Sequence, residues 1–111
     1  MILKDLIYED YLDDIRSAIV EIADFTKGMS FEQFSNDKKT INAVLRSLEV
    51  IGEAAKKIPN SIRREHPDVP WQKMTGMRDK LIHDYSGVDY EIVWETIKVD
   101  LIQLEKNLHT G

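Results

Sequence analysis

Three long segments repeat apolar residues at alternating intervals of three and four, a spacing that commits most of the chain to helices burying one stripe against their neighbours. The first runs from about Lys4 to Lys27 with Tyr8, Tyr11, Ile15, Ala18, Ile22 and Phe25 on the stripe, and stops at Gly28, a residue suited to a helix C-terminus. The second runs from about Asp37 to Ile58 with Ile41, Val44, Leu48, Ile51, Ala55 and Ile58 in the same rhythm, and Pro59 ends it. The third runs from about Asp89 to His109 with Tyr90, Trp94, Ile97, Leu101, Leu104 and Leu108 aligned, and Asp89 suits its N-cap. Nothing alternates with the period of two that a strand requires. The fold class expected is therefore all-α, an antiparallel helical bundle.

Shorter pieces fill the gaps. Ser30 and Gln33 have capping-box spacing, with Met29 and Phe34 placed as a hydrophobic staple, which predicts a short helical turn. All three prolines (Pro59, Pro67, Pro70) fall between residues 59 and 70, marking the main irregular connection, with one turn of helix around Ser61 to Glu65. A further helix is expected from Trp71 to about His83, with Trp71, Met74, Met77, Leu81 and Ile82 as its buried positions and Ser86-Gly87 as its breaker. With 111 residues, 42% of them hydrophobic, the chain is long enough for one domain over residues 1–111 to bury a real core without disulfide or metal staples. The absence of cysteine excludes a thiol nucleophile, a redox pair and cysteine-ligated metal sites. Residues 1–6 lack the basic start and apolar run of a secretory signal, and no stretch approaches the ~20 apolar residues needed to cross a bilayer. No membrane association and a cytoplasmic location are expected.

The formal charge is −5, but it is unevenly spread. From Ala54 to Lys80 there are seven basic residues (Lys56, Lys57, Arg63, Arg64, Lys73, Arg78, Lys80) against three acidic ones (Glu65, Asp68, Asp79). Such a basic middle on an acidic protein suits a confined phosphate-binding surface, with a solvated face as the alternative.

Inside that stretch stands the run Met77-Arg78-Asp79-Lys80-Leu81-Ile82-His83-Asp84-Tyr85. On an ideal helix Arg78 and His83 are about 140° apart, so arginine's reach, or a second protomer forming the other wall of a cleft, is needed to bring them together. Together they suffice for RNA cleavage without a metal. An imidazole titrating near neutrality takes the proton of a 2′-hydroxyl, and a permanently charged guanidinium holds the phosphate as negative charge builds on it. The same pair on a charged helix also fits a plain solvated face. His66 and His109 lie far from His83 in sequence and fit no metal-ligand spacing. Trp71 and Trp94, both on apolar stripes, read as core anchors, and Gly52 inside its helix reads as a point of close helix approach.

Arg78, His83 and Tyr85 together spell R-x4-H-x-Y. With the Leu48-Glu49-Val50-Ile51-Gly52-Glu53-Ala54-Ala55-Lys56 run, Pro70-Trp71 and Gly87-Val88-Asp89 ahead of a Trp94-containing helix, the chain closely resembles the HepT-like branch of the HEPN superfamily, the toxin half of type VII HEPN/MNT (HepT/MntA-type) toxin–antitoxin pairs. The likeness covers nearly the whole chain. It implies a homodimer that cuts RNA without metal or cofactor, with Arg78 and His83 as the catalytic pair in a cleft at the dimer interface. It further implies a partner, a minimal nucleotidyltransferase antitoxin that attaches AMP to the motif tyrosine, here Tyr85, within what can be a larger hetero-oligomer. A charged nucleotide at that position would obstruct RNA and compete for the arginine. Lys56, Lys57, Arg63, Arg64 and Lys80 are the expected RNA-backbone contacts. One departure is Ser86, where typical members carry an aromatic residue after the motif tyrosine, which puts substrate grip in question. The alternative reading is a non-catalytic helical module of the same fold that binds a nucleotide or partner protein, with Arg78 and His83 holding a phosphate or the dimer.

Overall fold

In the computed structural model, backbone is described for residues 2–82 and 89–110, and side chains for 8–76 and 89–108. Among these residues there is no strand. Helix α1 (Ile2–Thr26) buries Leu12, Ile15, Ala18, Ile19 and Ile22, with Tyr8 and Tyr11 packed against the same core. The expected last member of its stripe is displaced, for Phe25 is 40% exposed and Thr26 is buried in its place, its hydroxyl donating to the Ile22 carbonyl at 2.8 Å. The reason is geometric. Thr26 is eleven residues from Ile15, close to three full turns, whereas Phe25 falls about 80° short of that line. Gly28 then takes φ +76°, the left-handed conformation that turns the chain away.

The turn α2 (Phe31–Ser35) is closed by the expected capping box, Gln33 N–H donating to Ser30 Oγ at 3.1 Å and Ser30 N–H to Gln33 Oε1 at 2.9 Å. It delivers Phe34 into the core with no exposed surface. Asp37 caps α3 (Lys38–Lys56), and the backbone N–H of Thr40, donating to Asp37 Oδ1 at 3.0 Å, holds that carboxyl below its ordinary value. Every expected α3 stripe residue is buried, and Gly52 is buried among them.

After Pro59, the single-turn helix α4 (Asn60–Glu65) leads to α5 (Trp71–Ile82). Trp71 and Met74 are buried as expected, while the side chains of Met77, Leu81 and Ile82 lie outside the described set. Asp89 caps α6 (Tyr90–Glu95) through Glu91 N–H and Ile92 N–H. The final helix is not uniformly α. A π-helical segment, Thr96–Asp100, separates α6 from α7 (Leu101–Thr110).

That segment changes which residues face inward. Val93 is fully buried, with Ile97, Leu101, Leu104 and Leu108 behind it, whereas Tyr90 and Trp94 are only half-buried at the edge of the core. Eight α-helical residues overshoot two turns by about 80°, which would set Val93 and Leu101 at opposite edges of one apolar stripe. Hydrogen bonds from i to i+5 wind the chain less per residue and restore the alignment. In the resulting bundle α1 packs on α3, α3 on α5, and α7 closes against α1.

Candidate active site

Among the described residues, the first turn of the helix carrying Arg78 is held by several contacts. Pro70 offers its carbonyl to Met74 N–H at 3.0 Å, and Trp71 sinks its ring into the core while donating Nε1–H to the His66 carbonyl at 3.0 Å. Arg63 fastens this turn to α3. Its Nη2 donates to the Ala55 carbonyl at 2.8 Å, its Nε to the Ile58 carbonyl at 3.1 Å, and its guanidinium lies 6.0 Å from the Trp71 ring. Positive charge at the C-terminal end of α3 is also where the helix dipole favours it. Further along, Lys73 Nζ donates to Asp100 Oδ1 at 2.9 Å and ties α5 to the last helix.

Arg78 stands in α5 two turns after Trp71, with Lys80 beyond it, and the side chains of both lie outside the described set. His83, expected with Arg78 as the catalytic pair, Tyr85, the expected modification site, and Ser86 also lie outside the described residues.

The expected RNA contacts divide. Lys56, Lys57, Arg63 and Arg64 collect where α3 ends and α4 begins, beside the first turn of α5. Arg78 to Ile82 is the opposite end of that helix, about 10–17 Å further along its axis. Lys80 belongs to that far end, so the basic stretch continuous in sequence is split in space. Lys56 and Arg64 are exposed. Lys57 is exposed but sits 5.4 Å from the Tyr11 ring centroid, in a 260 Å³ groove that Asp14, Glu49 and Glu53 also line. Those carboxylates work against an RNA phosphate there. Arg63 is half-buried, and sequence reasoning missed its role as a cap. The signal, an arginine a few residues past a Pro-terminated helix, is too generic to find it.

Around Trp94 the sequence reading needs revision. The ring packs 5.0 Å from buried Phe34 and 6.2 Å from half-buried Phe31, and Lys98 holds its ammonium 4.6 Å from the Trp94 ring centroid. Trp94 is the edge of the core rather than its centre. Among the described residues no helix is long and apolar enough to cross a membrane.

The comparisons with known proteins agree with one another. The family model described as "Ribonuclease HepT-like" matches residues 15–110, a span that includes R-x4-H-x-Y. The chain is 53% identical over 98 residues to "Probable ribonuclease HepT" of Thermococcus cleftensis, covering 88% of this chain and 89% of that one. It is 52% identical over 96 residues to "Putative RNase MJ0125" of Methanocaldococcus jannaschii (86% and 83% covered), and 47% over 98 residues to "Putative RNase TTE0752" of Caldanaerobacter subterraneus (88% each). No solved structure matches significantly. The chain belongs to the HepT-like ribonuclease family of the HEPN superfamily.

Proposed function

We propose that the protein is a metal-independent endoribonuclease, the toxin of a type VII HEPN/MNT toxin–antitoxin pair acting in the cytoplasm. The observation that carries this reading is the family match across residues 15–110, together with an intact R-x4-H-x-Y string beginning on α5. His83 takes the proton from a 2′-hydroxyl, and the 2′-oxygen attacks the adjacent phosphorus. The bond to the 5′-oxygen breaks, and the imidazolium returns a proton to that leaving oxygen. The products are a 2′,3′-cyclic phosphate and a 5′-hydroxyl. Arg78 neutralises the charge that builds on the phosphoryl oxygens. The nucleophile belongs to the substrate, so the step calls for no metal-activated water. A homodimer places two motifs across one cleft, and AMP attached to Tyr85 by a minimal nucleotidyltransferase antitoxin, acting on the dimer or within a larger hetero-oligomer, blocks it. Lys56, Arg64 and Lys80 grip RNA backbone, with Arg63 contributing alongside its bonds to α3 and Lys57 contributing least, beside the Asp14, Glu49 and Glu53 carboxylates.

The deciding experiment is cleavage of mixed RNA in excess chelator, after intact mass has established that Tyr85 is unmodified. Wild type cuts and leaves cyclic phosphate ends, while Arg78→Ala and His83→Ala lose at least a hundredfold in rate with unchanged melting temperatures. Unmodified dimer that leaves every RNA intact would refute catalysis and favour the non-catalytic module.

A further inference from the structure

Away from the motif, the surroundings of Trp94 combine a partly accessible aromatic ring with cationic side chains. Trp94 is half-buried, resting on Phe34, which has no exposed surface, with Phe31 tilted at 58° beside it. The floor under the ring is therefore rigid. Lys98, exposed and one turn later, places its ammonium 4.6 Å from the ring centroid. Lys98 also lines a 140 Å³ groove between α1 and the last helix together with Lys27, and both lysines sit at the Trp94 end of that groove, with Glu105 two turns away. The π-helical segment makes this arrangement. By keeping Val93, Ile97 and Leu101 inward at intervals of four, it leaves Trp94, Lys98 and Ile102 as a parallel stripe on the flank, where Ile102 is 50% exposed.

We infer that Trp94, Lys98 and Lys27 form a subsite for one nucleotide of single-stranded RNA, the base stacking on the indole and its phosphate held by the two lysines. A base that displaces the Lys98 ammonium from the ring exchanges a weak cation–π contact for a full stack, and frees the ammonium to meet the phosphate. Duplex RNA, whose bases are already stacked on one another, gains nothing from the indole. The subsite's place follows from the antiparallel run of α5 and the last helix. Lys73 meets Asp100, so five residues back along the last helix sets Glu95 and Trp94 at about the height of Arg78. Asp100 lies on the flank facing α5 and Trp94 on the opposite one. The stacked base is therefore several nucleotides from the phosphate that Arg78 holds, with the strand crossing the outside of α6.

This inference rests on the ribonuclease reading for its substrate, and its test separates the two. The probe is a labelled single-stranded oligoribonucleotide carrying one abasic position, moved along the strand, bound to full-length protein with Arg78→Ala to prevent cutting. One abasic position weakens binding about tenfold in that background, and Trp94→Leu, which keeps apolar volume over Phe34, weakens intact oligonucleotide equally and erases the position dependence. Lys98→Glu, a change on an exposed side chain that leaves folding intact, weakens binding at least as much. Lys98→Ala lowers the salt slope by about 0.7. With Arg78 present, Trp94→Leu raises KM for cleavage and holds kcat within twofold. Equal affinity and an unchanged abasic profile in folded Trp94→Leu and Lys98→Glu would overturn the subsite, as would an effect confined to oligomeric mass by light scattering. Wild type that cuts RNA with these results overturns the subsite alone. Position-dependent binding without any cutting overturns the ribonuclease reading and leaves the subsite standing.

Discussion

Replacing Arg63 separates two roles that the sequence alone gives no means to tell apart. As a phosphate contact, its loss weakens RNA binding and leaves the fold alone. As a cap, its loss strips two guanidinium hydrogen bonds, at 2.8 and 3.1 Å, from carbonyls of Ala55 and Ile58, both buried residues at the end of α3. A hydrogen bond to a charged group contributes about 1.5–3 kcal/mol. Each bond falls below that range here, nearer the about 1 kcal/mol of an ordinary hydrogen bond, because Arg63 is half-buried and the Ala55 carbonyl also accepts the Ile58 N–H at 3.2 Å. Allowing about 1 kcal/mol per bond and about 0.5 for the Trp71 contact gives Arg63→Ala a cost of roughly 2–3 kcal/mol. For a domain of this size that lowers Tm by roughly 10 °C. Arg63→Lys keeps charge at the helix C-terminus, but one ammonium does not reproduce a two-pronged donor, so it recovers about 1 kcal/mol. Arg64→Ala, on an exposed neighbour, stays within about 0.5 kcal/mol of wild type. Thermal melts by far-UV circular dichroism and urea titrations measure all three. An Arg63→Ala protein within about 1 kcal/mol of wild type would refute the capping argument and return Arg63 to the RNA surface.

Two further outcomes follow from the helix ends and the winding of the last helix. The Asp37 carboxyl is held below its ordinary value by the Thr40 N–H, so its stabilising contribution is complete above that ordinary value and fades as pH falls through the lowered one. Asp37→Asn therefore flattens the loss of Tm between about pH 5 and pH 2 while keeping the cap at neutral pH, and an unchanged slope would show that other carboxylates carry it. Deleting Val99, which is 58% exposed inside the π-helical segment, converts the inward spacing from Val93 to Leu108 into the four-three-three-four rhythm of a plain α-helix. The protein stays folded, whereas deleting exposed Arg46 from α3 rotates Leu48, Ile51, Ala55 and Ile58 by about 100° and unfolds it. Equal loss of cooperative melting in both deletions would contradict the account of the segment.

What was legible in the chain was what depends on local chemistry. Ser30 with Gln33, Asp89 and Gly28 each act through backbone within a few residues, and each closes or opens a helix as its identity implies. The α3 stripe was equally readable, because a central helix presents one wide face to its partners and α1 and α5 both pack on it. The site was legible only as a string, since R-x4-H-x-Y carries the resemblance without fixing distances. Spatial grouping was not readable in the same way. Lys56, Lys57, Arg63 and Arg64 share a stretch with Lys80, yet a helix lies between them and separates its ends. Arg63 became a cap because the connection after Pro59 folds back over α3, a tertiary event with no local signature.

The last helix fails differently, and there the miss is informative. Counting threes and fours selects Trp94 as a stripe member because it is large and apolar, and passes over Val93, whose distance of eight from Leu101 would put it at the far edge of an α-helical stripe. The structure resolves the conflict by changing the winding, not by leaving Val93 exposed. A π segment gives up favourable helix geometry over five residues, Thr96–Asp100, and gains three well-buried side chains in Val93, Ile97 and Leu101. The same change turns Trp94 outward at the edge of the core, with Lys98 one turn above it. A helix wound as α throughout would set Val93 and Trp94 on opposite edges of the stripe, whereas here the valine is sunk and the aromatic ring is left within reach of solvent. The irregular winding is thus what turns a residue read as a core anchor into a surface on which a base can stack.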